Sequence, residues 1–164
     1  MDIRHADTRL WMDAYMELCD WRPFSRIPTL AELNSSPYLP DLENITIGIR
    51  KGTRPVPFHI GSGPKEIISE RLMPYKGLDL FLSNGHFRKA FLQACTTNYY
   101  VRVHAYFSPA NLFLETLLLP VADNRGNPRY VIASLAEHSP TPPVVADSPV
   151  HVAYKSYYLK PEAA

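Results

Sequence analysis

Cysteine is scarce in this chain of 164 residues, which contains only Cys19 and Cys95. The two are far apart and form neither a Cys-x-x-Cys pair nor a Cys/His spacing typical of zinc ligands, so the sequence predicts no disulfide framework and no structural zinc site. An excess of one charge is also missing, because 17 Lys and Arg residues are balanced by 16 Asp and Glu residues. Without a basic field, binding to the phosphate backbone of nucleic acid is not expected.

Long apolar runs are absent. The longest nearly uncharged stretch, residues 112–121, contains Glu115 and Pro120 and is too short for a membrane-spanning helix. Residues 1–7 carry mixed charge and lack the apolar centre of a signal peptide. We therefore expect a cytoplasmic protein that does not insert into a membrane.

Motifs of the common catalytic sites are missing as well: Gly-x-Ser-x-Gly, a phosphate-binding loop and His-Glu-x-x-His. An acid–base site would have to use Glu115 with Tyr106 or Tyr100, in an isomerase or dehydratase of cone-like α+β fold. No acid–base pair has a recognisable spacing, so we expect a protein that is not an enzyme. An isomerase or dehydratase is kept as the alternative. An ionisable side chain in the pocket would favour the enzyme, and an apolar pocket would favour a binding function.

Apolar residues make up 46% of the chain and charged residues 20%, which is typical of a globular protein that folds alone. The 16 prolines fall mainly in residues 23–64 and 140–161. We predict a capping helix within residues 1–22, a domain in residues 23–138, and a proline-rich spacer with an extended arm in residues 139–164.

Hydrophobic periodicity predicts helices over residues 8–19 and 84–97, with a short helix that begins at Ser62. Alternation of apolar and polar residues predicts five strands. They cover residues 44–50, 56–60, 99–107, 112–121 and 129–135. The order of these elements predicts an α+β fold in which helices interrupt an antiparallel sheet.

Several motifs resemble those of a divergent bacterial subfamily of PAS domains, which are sensory and protein-interaction modules. The opening residues Leu10-Trp11 and Tyr15, and the pairs Ile27-Pro28 and Leu39-Pro40, are similar to the start of that subfamily. The second strand, helix and glycine turn are matched by Phe58-His59-Ile60-Gly61-Ser62-Gly63 and Lys76-Gly77-Leu78-Asp79-Leu80. The fourth strand and last hairpin are matched by residues 117–124 with Gly126, so that the resemblance covers roughly residues 10–135.

The resemblance implies a five-stranded sheet of order 2-1-5-4-3, with helices on its concave face and the opening helix on its outer face. It also implies a non-enzymatic sensory or regulatory protein. No kinase, cyclase or DNA-binding domain follows in the sequence, so we expect action in trans on a signalling protein. Single-domain PAS proteins of this kind are accessory regulators of histidine kinases, which are therefore the expected partner class.

The same arrangement predicts a cavity for a small apolar ligand, although a closed core is the alternative because protein interiors pack to a density of about 0.75. The predicted lining residues are Ile47, Phe58, Ile60, Phe87, Phe91, Cys95 and Val103. A second surface is predicted to form a homodimer, with a monomer as the alternative. It consists of Leu10, Trp11, Ala14, Tyr15 and Leu18.

No cofactor is implied. Haem in such a cavity needs an axial imidazole, and the only histidine beside the longer helix is His86, in a turn that predicts exposure. Flavin-binding relatives carry Asn-Cys-Arg-Phe-Leu-Gln, whereas Cys95 here follows Phe-Leu-Gln-Ala. A buried, inert cysteine is therefore predicted.

The last segment differs in character from a solvated tail. Residues 139–143 predict a stiff polyproline-like spacer, whereas residues 150–159 are rich in valine and tyrosine. We expect the latter to dock as an extended arm on the domain itself or on a neighbouring subunit.

Overall fold

Two groups of strands lie on either side of a run of helices along the chain. The computed structural model describes residues 6–20, 27–35, 43, 45–96, 99–138 and 149–158. The helices are α1 (Ala6–Asp20), α2 (Leu30–Ser35), α3 (Ser62–Ile67), α4 (Gly77–Ser83) and α5 (Gly85–Thr96). A π-helical turn (Ile68–Leu72) and a 3-10 turn (Met73–Tyr75) join α3 to α4. Among these described segments, no helix has both the length and the apolar character needed to cross a membrane.

The strands form one open antiparallel sheet, so the predicted α+β class is confirmed. They are β1 (Ile45–Lys51), β2 (Arg54–Ile60), β3 (Tyr99–Phe107), β4 (Leu112–Ala122), β5 (Pro128–Ser134), β6 (Ala136–His138) and β7 (Val150–Tyr158). Their order is β2-β1-β5-β4-β3-β7, with β6 paired to β4 beyond the end of β5. The expectation of five strands is therefore wrong in number, since β6 and β7 extend the sheet.

Helix α1 packs on one face of the sheet, which we call the outer face. Trp11 and Tyr15 are 2% and 0% exposed, and they join a core with Leu117 and Ile132 of the central strands. The Tyr15 hydroxyl donates a hydrogen bond of 2.5 Å to the carbonyl of Pro120. This bond gives the buried phenol a partner and fixes the helix to β4.

Helices α3 to α5 lie on the opposite, inner face. Leu114 of β4 packs with Leu72 and Phe81, while Leu118 packs with Phe91 of α5. Both faces of β4 are thus covered, which explains why residues 112–121 are apolar at nearly every position.

The C-terminal arm forms β7 on the edge of its own domain. It pairs with the whole of β3, from Tyr99 opposite Tyr158 to Phe107 opposite Val150. The side chains of Val152 and Tyr154 pack against the cluster around α5, and the hydroxyl of Ser156 hydrogen-bonds to Gln93. The predicted spacer, residues 139–143, lies outside the described residues.

Removal of the arm should loosen the edge that it covers. We expect deletion of residues 139–164 to speed hydrogen exchange of the β3 amides that bond to β7 by about tenfold or more, because an edge amide opens more readily than a paired one. Exchange measured by NMR checks this. Deletion of residues 159–164 alone leaves β7 whole and should change nothing; unchanged exchange after the longer deletion would show that the arm does not protect β3.

Candidate ligand cavity

A cavity of about 110 Å³ lies between the inner face of the sheet and the helices. An engineered cavity of about 150 Å³ with apolar walls binds benzene, so this space is on the scale of a small molecule. The wall combines residues of the sheet with residues of the helices and the turns between them. The larger apolar ones are Ile60, Ile68, Leu72, Leu78, Phe81, Leu82, Phe87, Phe91, Val103, Leu114, Leu118 and Leu135.

The start of α5 determines which of its side chains reach the cavity. The Asn84 side-chain oxygen accepts a hydrogen bond of 3.0 Å from the backbone N–H of Phe87, which is the usual way in which asparagine caps a helix. Phe87 and Phe91 are four residues apart and so lie on the same side of the helix. This cap therefore directs both rings toward the sheet.

The close approach of Phe91 to the sheet depends on Gly48. A Cβ atom at position 48 would lie 2.9 Å from Cε2 and 3.0 Å from Cζ of Phe91, so a side chain cannot be added without moving the ring. Phe91 is only 5% exposed. The ring thus forms one wall of the cavity and at the same time holds α5 against β1.

Four of the seven predicted lining residues border the cavity: Ile60, Phe87, Phe91 and Val103. Ile47 lies instead on the outer face, in the core beneath α1. On β1 the inner positions are held by Thr46 and Gly48, because the helices leave room only for small side chains there. The alternation correctly predicts a strand, but the expected inner position of Ile47 is wrong, because Ile47 lies on the opposite face.

Phe58 also lies away from the cavity. It is 61% exposed, and its ring centroid is 5.9 Å from that of Tyr130. The register explains this, since Ile47 pairs with His59 and Gly48 pairs with Pro57, which leaves Phe58 as the extra residue of a β-bulge. A bulge re-aims the side chain that it carries, and Pro57 has no N–H for the ladder, which favours the irregularity at this position.

Cys95 is buried against the sheet outside the cavity wall. It is 2% exposed, and its thiol donates a hydrogen bond of 3.5 Å to the carbonyl of Arg129. Burial raises the pKa of the Cys95 thiol, and the nearby charge of Arg50 offsets this only in part. The thiolate is therefore disfavoured, and the side chain packs with Val101 and Val131 of the sheet.

Sequence reasoning missed the wall formed by the π-helical turn and α4. Ile68 and Leu72 are four residues apart, and Leu78 and Phe81 are three apart; all four line the cavity. This spacing puts each pair on one helical face and was the available signal. Ile68 and Leu72 belong to the predicted short helix, whereas no helix was predicted for Leu78 and Phe81, and neither pair was assigned to the lining.

No described residue that lines the cavity has an ionisable side chain; the only polar side chains there are the hydroxyls of Thr46, Thr116 and Ser134. Glu115 is on the outer face, where its carboxylate lies 3.2 Å from Nε2 of His104. Tyr106 is on the same face and donates a hydrogen bond to Asn111. The carboxylate considered for an enzyme is thus on the opposite side of the sheet from the cavity.

Among the described residues, no histidine or other common metal ligand of the His, Cys, Asp or Glu type lines the cavity. His86 stands exposed at the start of α5 and does not contribute to the cavity wall. Within the described ranges, no three His, Cys, Asp or Glu residues come together as a metal site would require.

The surface predicted for a homodimer is largely internal. Trp11, Ala14 and Tyr15 are buried within the chain, and Leu10 is 60% exposed. The side chain of Leu18 lies outside the described residues. The two aromatic side chains expected to reach a second copy are instead packed in the chain's own core.

Comparison of the chain with protein-family models, with curated proteins and with solved structures found no match. The functional assignment therefore depends on the geometry of the cavity and of the sheet.

Proposed function

We propose that the protein is a non-enzymatic sensory or regulatory PAS module that binds a small apolar ligand and acts on a signalling protein, with histidine kinases as the partner class. The observation that carries the ligand is the apolar cavity that the sheet forms with the π-helical turn, α4 and α5, and its described walls have no ionisable side chain. Cavities of this kind, largely preformed and with few polar groups, are typical of small-molecule binding sites.

The strand order supports the PAS assignment. Strands β2-β1-β5-β4-β3 stand in the order that the resemblance implies, and the helices between β2 and β3 cover the inner face. The cavity does not favour the isomerase or dehydratase alternative, since proton transfer needs a side chain that gains or loses a proton within reach of the substrate.

The ligand is tested on the protein as purified. Native mass spectrometry should detect a bound molecule, or should detect one after incubation with a library of small apolar compounds. Ala133 borders the cavity, so Ala133→Leu should fill the space and abolish binding without unfolding the protein. Ala31 is exposed on α2, and Ala31→Leu is a control that should leave binding unchanged. Failure of every compound to bind would contradict the ligand part of the proposal.

The partner is tested with purified histidine kinases from the same cell. An excess of the protein should change the initial rate of autophosphorylation of at least one kinase by about threefold or more, as measured with labelled ATP. Heat-denatured protein is the control, and unchanged rates across the set would contradict the partner class. Sedimentation of the same samples reports whether the protein acts as a monomer or a homodimer.

A further inference from the structure

Thr116 is a mostly buried polar residue on the wall of the cavity. The described core contains three buried polar residues, Glu115, Thr116 and Ser134. Glu115 contacts His104, and the hydroxyl of Ser134 accepts a hydrogen bond of 3.2 Å from the backbone N–H of Leu117. Thr116 is 9% exposed, and its hydroxyl is not among the fully enclosed, unpartnered side-chain atoms of the described residues, so it is open to the cavity.

The position of Thr116 on β4 determines which groups its hydroxyl can contact. Thr116 pairs with Val103 on the inner face of β4, and both residues line the cavity. Its neighbours along the same face of the strand, Leu114 and Leu118, are apolar. A hydroxyl that is open to an otherwise apolar cavity can form a hydrogen bond with a bound molecule, and a few polar groups of this kind usually orient the ligand in such a site.

We infer that the Thr116 hydroxyl is the hydrogen-bonding anchor of the cavity, and that the ligand is an uncharged, compact, mostly apolar molecule with one hydroxyl or carbonyl group. This inference depends on the proposed function, because it names the chemistry of the ligand in the same cavity. The volume of about 110 Å³ is of the same order as the cavity of about 150 Å³ that binds benzene, so a single small ring such as phenol is a suitable probe. The absence of ionisable side chains from the described wall favours a neutral ligand, because an unpaired charge is costly to bury.

Thr46 provides a matched control on the same wall. It lies on β1, and β5 separates it from β4, so two strand spacings of about 4.8 Å place it roughly 10 Å from the strand of Thr116. A molecule the size of phenol hydrogen-bonds to only one of the two hydroxyls. Thr46 is also less buried than Thr116, so water can satisfy its hydroxyl.

The test compares phenol with toluene, which has the same shape but a methyl group in place of the hydroxyl. Affinities for both are measured by NMR titration of the full chain and of three variants. Thr116→Val should lower the ratio of phenol affinity to toluene affinity by about tenfold, because the loss of one hydrogen bond weakens binding by roughly that factor. Thr116→Ser keeps the hydroxyl and Thr46→Val leaves the anchor in place, so both should retain the ratio of the unchanged protein.

The outcomes separate the anchor from the cavity itself. Binding of both probes with the same ratio in Thr116→Val would overturn the anchor and leave the cavity ligand intact. A loss of preference in Thr46→Val rather than in Thr116→Val would also overturn it. Binding of neither probe would overturn the anchor together with the ligand part of the proposed function.

Discussion

Replacement of Trp11 by alanine is expected to lower the free energy of unfolding by about 3 to 5 kcal/mol, the usual cost of removing a buried aromatic side chain. Trp11 is 2% exposed and packs in the outer core with Leu117 and Leu119 of β4. The truncation leaves a cavity between α1 and the sheet that neighbouring side chains fill only in part. Urea unfolding followed by circular dichroism measures the loss.

Leu10 is the matched control, since it is on the same helix but 60% exposed. Leu10→Ala should change stability by less than about 0.5 kcal/mol. Both variants are compared at several protein concentrations. If Trp11→Ala kept its stability but shifted the protein from dimer to monomer, α1 would be an interface helix and its placement on the sheet would be wrong.

The opening helix shows what periodicity can and cannot predict. The stripe that contains Trp11 and Tyr15 correctly indicated a helix with one broad apolar side. Such a side buries the same area on its own sheet or on a second copy, so the pattern does not identify the covering surface. Which surface covers the helix depends on long-range contacts such as the hydrogen bond from Tyr15 to Pro120. A local sequence pattern does not contain such contacts.

The cavity shows a similar limit. Alternation in β1 revealed two faces but not which of them meets the helices, and the more apolar face, with Ile47, turned out to be the outer one. On β2, the bulge at Phe58 breaks the alternation on which the assignment of that residue depended. The longer helix carried a stronger signal, because the Asn84 cap and the spacing of Phe87 and Phe91 fix its inner side by local chemistry.

The arm was predictable in kind but not in place. The tyrosines and valines of residues 150–158 indicated an extended segment that docks, and such residues favour a pleated surface. The edge at which they dock depends on which strand end the preceding segment can reach. In the structure the arm covers the edge of β3, and Val152 and Tyr154 pack in the cluster around α5.

Replacement of Phe91 by alanine is expected to cost about 3 kcal/mol of unfolding free energy, at the lower end of the range for a buried phenylalanine. The ring is 5% exposed but already borders open space, so fewer contacts are lost than in a filled core. Urea unfolding is again the measurement. A loss below about 1 kcal/mol would show that the ring is not a wall of the cavity.

A double-mutant cycle with Gly48 makes this test specific to the contact. Of the three atoms near a Cβ at position 48, the two closest belong to the Phe91 ring, and the third, the carbonyl oxygen of Val56, is at an ordinary distance of 3.6 Å. Gly48→Ala should therefore destabilise the protein when Phe91 is present and cost little in the Phe91→Ala background. The coupling between the two changes should be about 1 kcal/mol or more, whereas independent sites add within about 0.5 kcal/mol. Additive losses would mean that α5 does not press its ring onto β1, and the cavity would then need a different wall.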